Sequence, residues 1–382
     1  ITRQDVRAEP DALACIARAV AHARLAHRHR AEVIEKMGHI KAAYPFRTKW
    51  GYTNAAFLTA GEIIPKACGQ QWEDYLKEKI FTPLGMNSTL ALSKDFPNAP
   101  NKCSAHTRFD GKLVKIPFCT IDNLAPAGSI GSSVNDMSHW VMAQLSNGRY
   151  DGKQVIPAAA IAQTWLPHSI LGNGGKQFNT GHFALYGLGW FLEEYCGKKI
   201  VSNTGGVNGF VTSVTLVPEE KLGIIVFTNT DDNNFYEALK WEIADAYLGK
   251  PYRNYSKIYL GFFNQQNKQE ESLDKKMMDS VALKLSPSLA VTGYCGSYTN
   301  DVYGNMSVVQ EGGELKMKFS HHPNMHAKLE SLGGNRFYAT FSDPEFRKAI
   351  FPFTVTNGKV TSVTVKVADF IEYHPYEFKK IK

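Results

Sequence analysis

No run of 18 or more apolar residues occurs in the 382-residue chain, which excludes a transmembrane helix. The opening Ile1-Thr2-Arg3 leads into no charged leader with an apolar centre, so no signal peptide is expected and the compartment stays undetermined. The six cysteines (Cys15, Cys68, Cys103, Cys119, Cys196, Cys295) form no Cys-x-x-Cys and pair with no His at zinc-like spacing. They predict neither a metal site nor a cofactor, and demand no disulfide. A basic face with interleaved aromatics is also missing, which argues against nucleic-acid binding. The net charge of +7 arises mainly at one end. Residues 1–50 hold ten Lys or Arg against five Asp or Glu, and the rest of the chain holds 33 against 31.

Residues 1–31 lack Gly, Lys, Ser, Asn, Phe, Tyr and Trp altogether, and contain nine Ala, six Arg and three His. From Glu32 onward the usage becomes that of the remaining chain. A break of this kind fits a segment read out of frame, a cloning junction or a natural deletion. Asp11 to Ala26 is still expected to be helical, with Asp11 as N-cap after Pro10. His22, His27 and His29 read as a solvated helix end rather than a metal site, because Arg28 and Arg30 would repel a divalent cation.

The rest has the composition of a globular protein, 43% hydrophobic and 21% charged, long enough for two domains. Trp50-Gly51-Tyr52-Thr53-Asn54 precedes an apolar helical run (Ala55, Ala56, Phe57, Leu58). A phenol and an amide at a helix start suit proton transfer and carbonyl positioning. The same residues also suit a helix-start turn with a packed tyrosine. Downstream lie Ala125-Pro126-Ala127-Gly128-Ser129-Ile130-Gly131-Ser132-Ser133, Tyr186-Gly187-Leu188-Gly189-Trp190 and Asn203-Thr204-Gly205-Gly206-Val207-Asn208-Gly209-Phe210.

In that order these motifs resemble the serine β-lactamase and penicillin-binding-protein superfamily, in the branch holding class C β-lactamases, D-alanyl-D-alanine peptidases and β-lactamase-like esterases. The resemblance covers residues 32–250. It implies an α/β (α+β) fold, an antiparallel sheet with flanking helices. It gives Tyr52 and Asn54 catalytic roles in handling the proton of a nucleophilic serine. Asn203, Thr204, Gly205, Gly206 and Ser129 are implied as substrate-binding residues along the channel. Two departures stand out. The nucleophile's Ser-x-x-Lys should precede Tyr52, yet the chain's only such tetrapeptide is Ser272-Leu273-Asp274-Lys275, on the wrong side of every other motif. Asn203 stands where the family carries Lys or His, and brings no positive charge to a carboxylate or oxyanion.

Around these motifs, residues 33–41 and 72–80 read as helices, the Tyr52 helix runs to Cys68 with a kink at Pro65, and 92–123 reads as a loop-rich rim. Asn135 to Leu145 is helical, with Ser133 or Asn135 as cap. Leu188–Leu192, Lys199–Ser202, Val211–Val217 and Leu222–Phe227 read as strands, followed by a helix over 235–247. In the family, residues before the nucleophile helix add strands to this sheet. An edge should therefore lie open unless residues 1–31, a second copy of the chain or the C-terminal part covers it. Residues 251–285 read as a helical tether. The segment 286–382 alternates as short strands with Gly312-Gly313 and Asn357-Gly358 hairpin turns, a small antiparallel barrel or sandwich. His321, His322 and His326 read as solvated loop histidines. The expected units are thus an atypical segment 1–31, an N-terminally truncated β-lactamase-like domain 32–250, a linker 251–285 and a β-domain 286–382.

Three functional readings follow. The first is a hydrolase acting on ester, amide or related bonds, with β-lactamase activity weak or nil. In the second the chemistry is rerouted through water activated by Tyr52, Glu62 or Asp122, for example on glycosides. The third is a non-catalytic cleft that binds small ligands.

Overall fold

The computed structural model describes residues 30–40, 42, 44–173, 181–366 and 375–381. Helix α1 (Arg30–Met37) leads to α2 (Asn54–Cys68), the helix of the Tyr-x-Asn motif. Thr53 caps α2, its side-chain oxygen accepting from the Ala55 amide at 3.0 Å. Gly69 ends it in the left-handed region, φ 75°, with its N–H on the Pro65 carbonyl. The expected helix at 72–80 is split into α3 (Trp72–Leu76) and a π-helical turn (Lys77–Phe81).

The expected loop-rich rim contains a hairpin, β1 (Ala105–Phe109) with β2 (Lys112–Ile116). Its turn, Asp110-Gly111, has φ 47° and 76°, the geometry that favours Asn or Asp followed by Gly. Then come α4 (Ala125–Gly128), α5 (Val134–Leu145), a minimal hairpin of β3 (Arg149–Tyr150) and β4 (Lys153–Gln154), and α6 (Ala158–Thr164). Ser133 caps α5 by accepting from the Asp136 amide. Helix α2 crosses α4 so closely that a Cβ on Gly61 would lie 2.2 Å from the Pro126 ring. Only glycine fits there.

The central sheet has six antiparallel strands: β5 (Ser169–Asn173), β6 (Phe183–Tyr186), β7 (Phe191–Tyr195), β8 (Lys198–Val207), β9 (Phe210–Val217) and β10 (Leu222–Thr228), in spatial order β10-β9-β8-β7-β6-β5. Both faces are covered. Ile200, Val217, Ile224 and Val226 pack under α7 (Phe235–Tyr247), and Val201, Leu216 and Leu192 pack with Val141 of α5. That is why these strands read as nearly continuous apolar runs. The terminal strands of the sheet are β10 and β5.

Helix α8 (Tyr255–Ala282) and the short α9 (Val291–Tyr294) lead to a closed barrel. Its strands are β11 (Gly296–Asn300), β12 (Gly304–Glu311), β13 (Glu314–Phe319), β14 (His322–Ser331), β15 (Arg336–Phe341), β16 (Lys348–Thr356), β17 (Lys359–Val365) and β18 (Tyr376–Ile381). Of the two architectures expected here, barrel and sandwich, the barrel is observed. Leu315, Met317, Phe319, Val363 and Val365 all point into its core, as their alternation requires. Both predicted hairpin turns have positive φ at each central residue. The barrel meets α8 and the β1–β2 hairpin through charges. Arg347 binds Glu270 (2.8 Å) and Asp232 (3.2 Å), and Lys348 binds Asp110 (2.8 Å) and Asp274 (3.2 Å).

No helix among the described residues is long and apolar enough to cross a membrane. No group of three or more metal-ligating side chains occurs among them either. The five described cysteines are free thiols. The expected helix at 11–26, Cys15 and the His22, His27, His29 cluster lie outside the described residues.

Candidate active site

A cleft of about 2630 Å³ opens between α2, α5, the loop segments on either side of the rim hairpin and the sheet. Small-molecule pockets typically hold about 300–1,000 Å³, so this one has room for an extended chain. Tyr52, Asn54, Asn203, Thr204, Gly205 and Gly206 all line it.

With Thr53 as N-cap, Tyr52 lies just before α2 and Asn54 opens it, and the Tyr52 hydroxyl donates to Asn54 Oδ1 at 3.0 Å. Aromatic rings hold the phenol. Phe57 stands 5.7 Å from it and Trp50 6.4 Å, and Trp50 in turn packs on Tyr186 and Phe191. Burial pushes the Tyr52 pKa above its usual value. Tyr52 is therefore a neutral hydrogen-bond donor over the physiological range, not a phenolate base. Burial also raises Tyr186, next to it.

Strand β8 forms the facing wall. Its pairing with β7 ends at Ser202, opposite Phe191, whereas its pairing with β9 continues to Val207. Among the described residues, β8 therefore has no partner strand on that side from Asn203 to Gly205, a stretch that borders the cleft. Asn203 has a structural task. Its Nδ2 donates to the Gly189 carbonyl and its Oδ1 accepts from the Thr204 amide at 2.7 Å. Gly189 lies against Phe57 of α2, so Asn203 joins the Tyr52 helix to β8. The two lysines on the cleft wall are engaged at its margin. Lys102 donates to the Pro97 (2.6 Å) and Ala99 (3.2 Å) carbonyls, and Lys49 lies over the Tyr44 ring.

Ser129 departs from the expectation of a substrate contact. It is fully buried, and its hydroxyl lies against the carbonyls of Ala91 and Ala125. Ser132, three residues on, lines the cleft instead. Its hydroxyl is 2.7 Å from that of Thr89, which donates to Asp136 at 2.8 Å. The sequence reading missed Thr89 and Asp136, although the Ser133-x-x-Asp136 spacing is a helix-start signature. It also missed the stacked Phe118 and Phe210, which form an apolar wall with Phe96. The carboxylates proposed to activate water are occupied outside the cleft lining. Asp122 accepts from the Ser93 and Lys94 amides, and Glu62 pairs with Arg30. Ser272 sits on α8 beside a separate groove whose lining shares no residue with the cleft.

A family model described as Beta-lactamase matches residues 11–248. The chain belongs to this family. A second model, a domain of unknown function (DUF3471), matches residues 282–380. Among curated relatives, an unguisins hydrolase from Aspergillus violaceofuscus is 24% identical over 336 residues, 81% of this chain and 59% of that protein. A D-aminopeptidase from Brucella canis is 24% identical over 297 residues, 75% of this chain and 52% of that protein. The chain thus spans between half and three-fifths of the length of these relatives. The octameric penicillin-binding protein homologue from Pyrococcus abyssi aligns over 94% of this chain and 78% of its own, with 18% identity and a TM-score of 0.46.

The tyrosines of this β-lactamase-family chain carry a consequence for stability. Burial raises the pKa of Tyr52, Tyr186, Tyr259 and Tyr298, and pushes Tyr236 up to about 12. In the unfolded chain tyrosine ionises near pH 10. Above that the unfolded state loses protons that the folded state keeps, so stability falls as pH rises. Urea midpoints should match at about pH 8 and about pH 9, then drop by about pH 11. An unchanged midpoint across that last step would contradict the assignment.

Proposed function

We propose that this chain forms the substrate channel of a hydrolase acting on ester, amide or related bonds of uncharged substrates, with β-lactamase turnover weak or nil. The edge of β8 from Asn203 to Gly205, which lines the same cleft as the Tyr52–Asn54 pair, carries this reading. An extended substrate can lie along that edge as an added strand, its carbonyl turned toward the Tyr52 hydroxyl. The neutral phenol donates to the oxygen that gains negative charge, or to the leaving group. Water attacks the carbonyl carbon and the bond to the leaving group breaks. The proton lost by water restores the phenol. Asn203 brings no positive charge to this stretch of β8, which favours neutral substrates. The curated relatives, named as a hydrolase and a D-aminopeptidase, support the reaction class. The same reading divides the chain into the β-lactamase-like unit 32–250, the tether 251–285 and the β-domain 286–382.

A hydrolase that lacks its nucleophile retains about 10³-fold catalysis from binding and oxyanion stabilisation alone. The 382-residue chain is therefore expected to accelerate hydrolysis of neutral aryl esters by about that factor. A chromogenic cephalosporin, which carries a ring carboxylate, should turn over at background. Cephalosporin hydrolysis at the ester rate, or no turnover of any substrate including D-amino-acid anilides, would overturn the proposal.

A further inference from the structure

Next to the cleft, separated from it by β8 and α5, lies a second cavity of about 430 Å³. This falls within the usual size range of a small-molecule site. Met137 and Trp140 of α5 and Asn203, Thr204, Gly205 and Thr212 of β8 and β9 line both spaces. The side cavity therefore opens beside the Asn203–Gly205 stretch of β8. Its walls are flat and apolar. Trp140 and Trp190 stack at 5.6 Å with 20° between their planes, and Ile161 and Leu188 complete the surface.

One polar group in this wall has no counterpart. Gln144, on α5, is only 6% exposed and lines the cavity, and its Oε1 is buried without a hydrogen-bond partner. An acceptor held this way is costly to leave unmade, and a guest bearing one N–H donor would satisfy it. The last side-chain torsion of glutamine is broad, so the amide can turn its oxygen toward such a guest.

We infer that this cavity is a side-chain subsite for a flat aromatic group carrying an N–H donor, of which indole is the simplest example. The inference rests on reading the cleft as a substrate channel and adds which side chain the channel selects. The substrate residue lying beside Asn203 to Gly205 inserts its ring along the Trp140–Trp190 stack. Its N–H reaches Gln144.

The test reads binding alone, by fluorine NMR titration of the whole chain with 5-fluoroindole and with 5-fluoro-1-methylindole, which lacks the donor. The donor-bearing probe should bind saturably and about tenfold more tightly, the worth of one hydrogen bond to a buried acceptor. Gln144→Leu should reduce that preference to about onefold while keeping the apolar contribution. Ala160→Phe, at an exposed position on the cavity wall, should abolish binding of both probes without touching the core. Absence of saturable binding, equal affinities in the unmodified chain, or binding that survives Ala160→Phe would each overturn the subsite. If the probe binds as expected but no ester is hydrolysed, the hydrolase reading fails and the subsite stands.

Discussion

Tyr52→Phe is expected to lower kcat for neutral aryl esters by about 100-fold with little change in KM, the usual effect of removing one donor aimed at developing charge. The substitution removes only a hydroxyl. The ring contacts to Phe57 and Trp50 are kept, so the folded cleft and its affinity should be preserved. The pH profile gives a second, independent reading. Because burial raises the Tyr52 pKa, the active form is the protonated phenol. Activity should therefore be level up to about pH 10 and fall above it as the phenol ionises. A Tyr52 acting as a phenolate base would show the opposite slope, with activity climbing through the alkaline range. Turnover unchanged in Tyr52→Phe would move the chemistry out of this cleft.

Asp245→Ala is expected to cost about 3–5 kcal/mol of stability, measured as a fall in the urea midpoint. Asp245 on α7 is 2% exposed. Its two carboxylate oxygens accept from the phenols of Tyr195 on β7 and, at 2.8 Å, of Tyr255 at the start of α8. Three elements meet on one side chain. Truncating it removes the carboxylate that both phenols share in the apolar cluster of Ile200, Val217 and Trp241, and each lost acceptor costs about 1–3 kcal/mol. The control is the same change in a Tyr195→Phe/Tyr255→Phe background, where no donor is left unmet. There the penalty should shrink to the small cavity term. An equal penalty in both backgrounds would show that the network contributes no more than packing.

The two predictions lie at opposite ends of what was readable beforehand. The Tyr52 helix was legible because its apolar period and terminal glycine are local signals, and α2 ends at Cys68 as expected. The sheet was readable from β8 to β10, whose β-branched runs are bounded by clear turns. Strands β5 and β6 were missed because Ser169–Asn173 and Phe183–Tyr186 are short, do not alternate and lie at the end of the sheet. The rim hairpin carried its signal openly in Asp110-Gly111, but three nearby prolines favoured reading a loop. In the barrel the strands beside strong Gly turns were found. β11, β14 and β18 were not, since β11 and β18 pair at long range and β14 is shifted in register near His322.

The candidate site divided in a similar way. Residue identity placed Tyr52, Asn54 and the β8 stretch on one cleft, because the motif order matches a known arrangement. It did not distinguish Ser129 from Ser132. In a Gly-rich turn three residues decide whether a hydroxyl faces a cleft or the backbone beneath it, and no periodicity marks the difference. Nor did it anticipate the task of Asn203. Composition shows only that a positive charge is absent there. The amide's bonds to Gly189 and Thr204 arise from packing between elements distant in sequence.

Closure of the barrel has a consequence for synthesis. β11 completes its pairing through Ser297 with Ile381 and Thr299 with Lys379, so the first strand needs the last. A ribosome delivers β11 through β17 in order, each able to pair with its predecessor as it emerges. The ring nevertheless stays incomplete until residues 376–381 are released. For that interval β11 exposes one side of its backbone to solvent or to a chaperone. The seam is thus set by translation as much as by thermodynamics, and its closing waits on the loop entropy of some eighty residues.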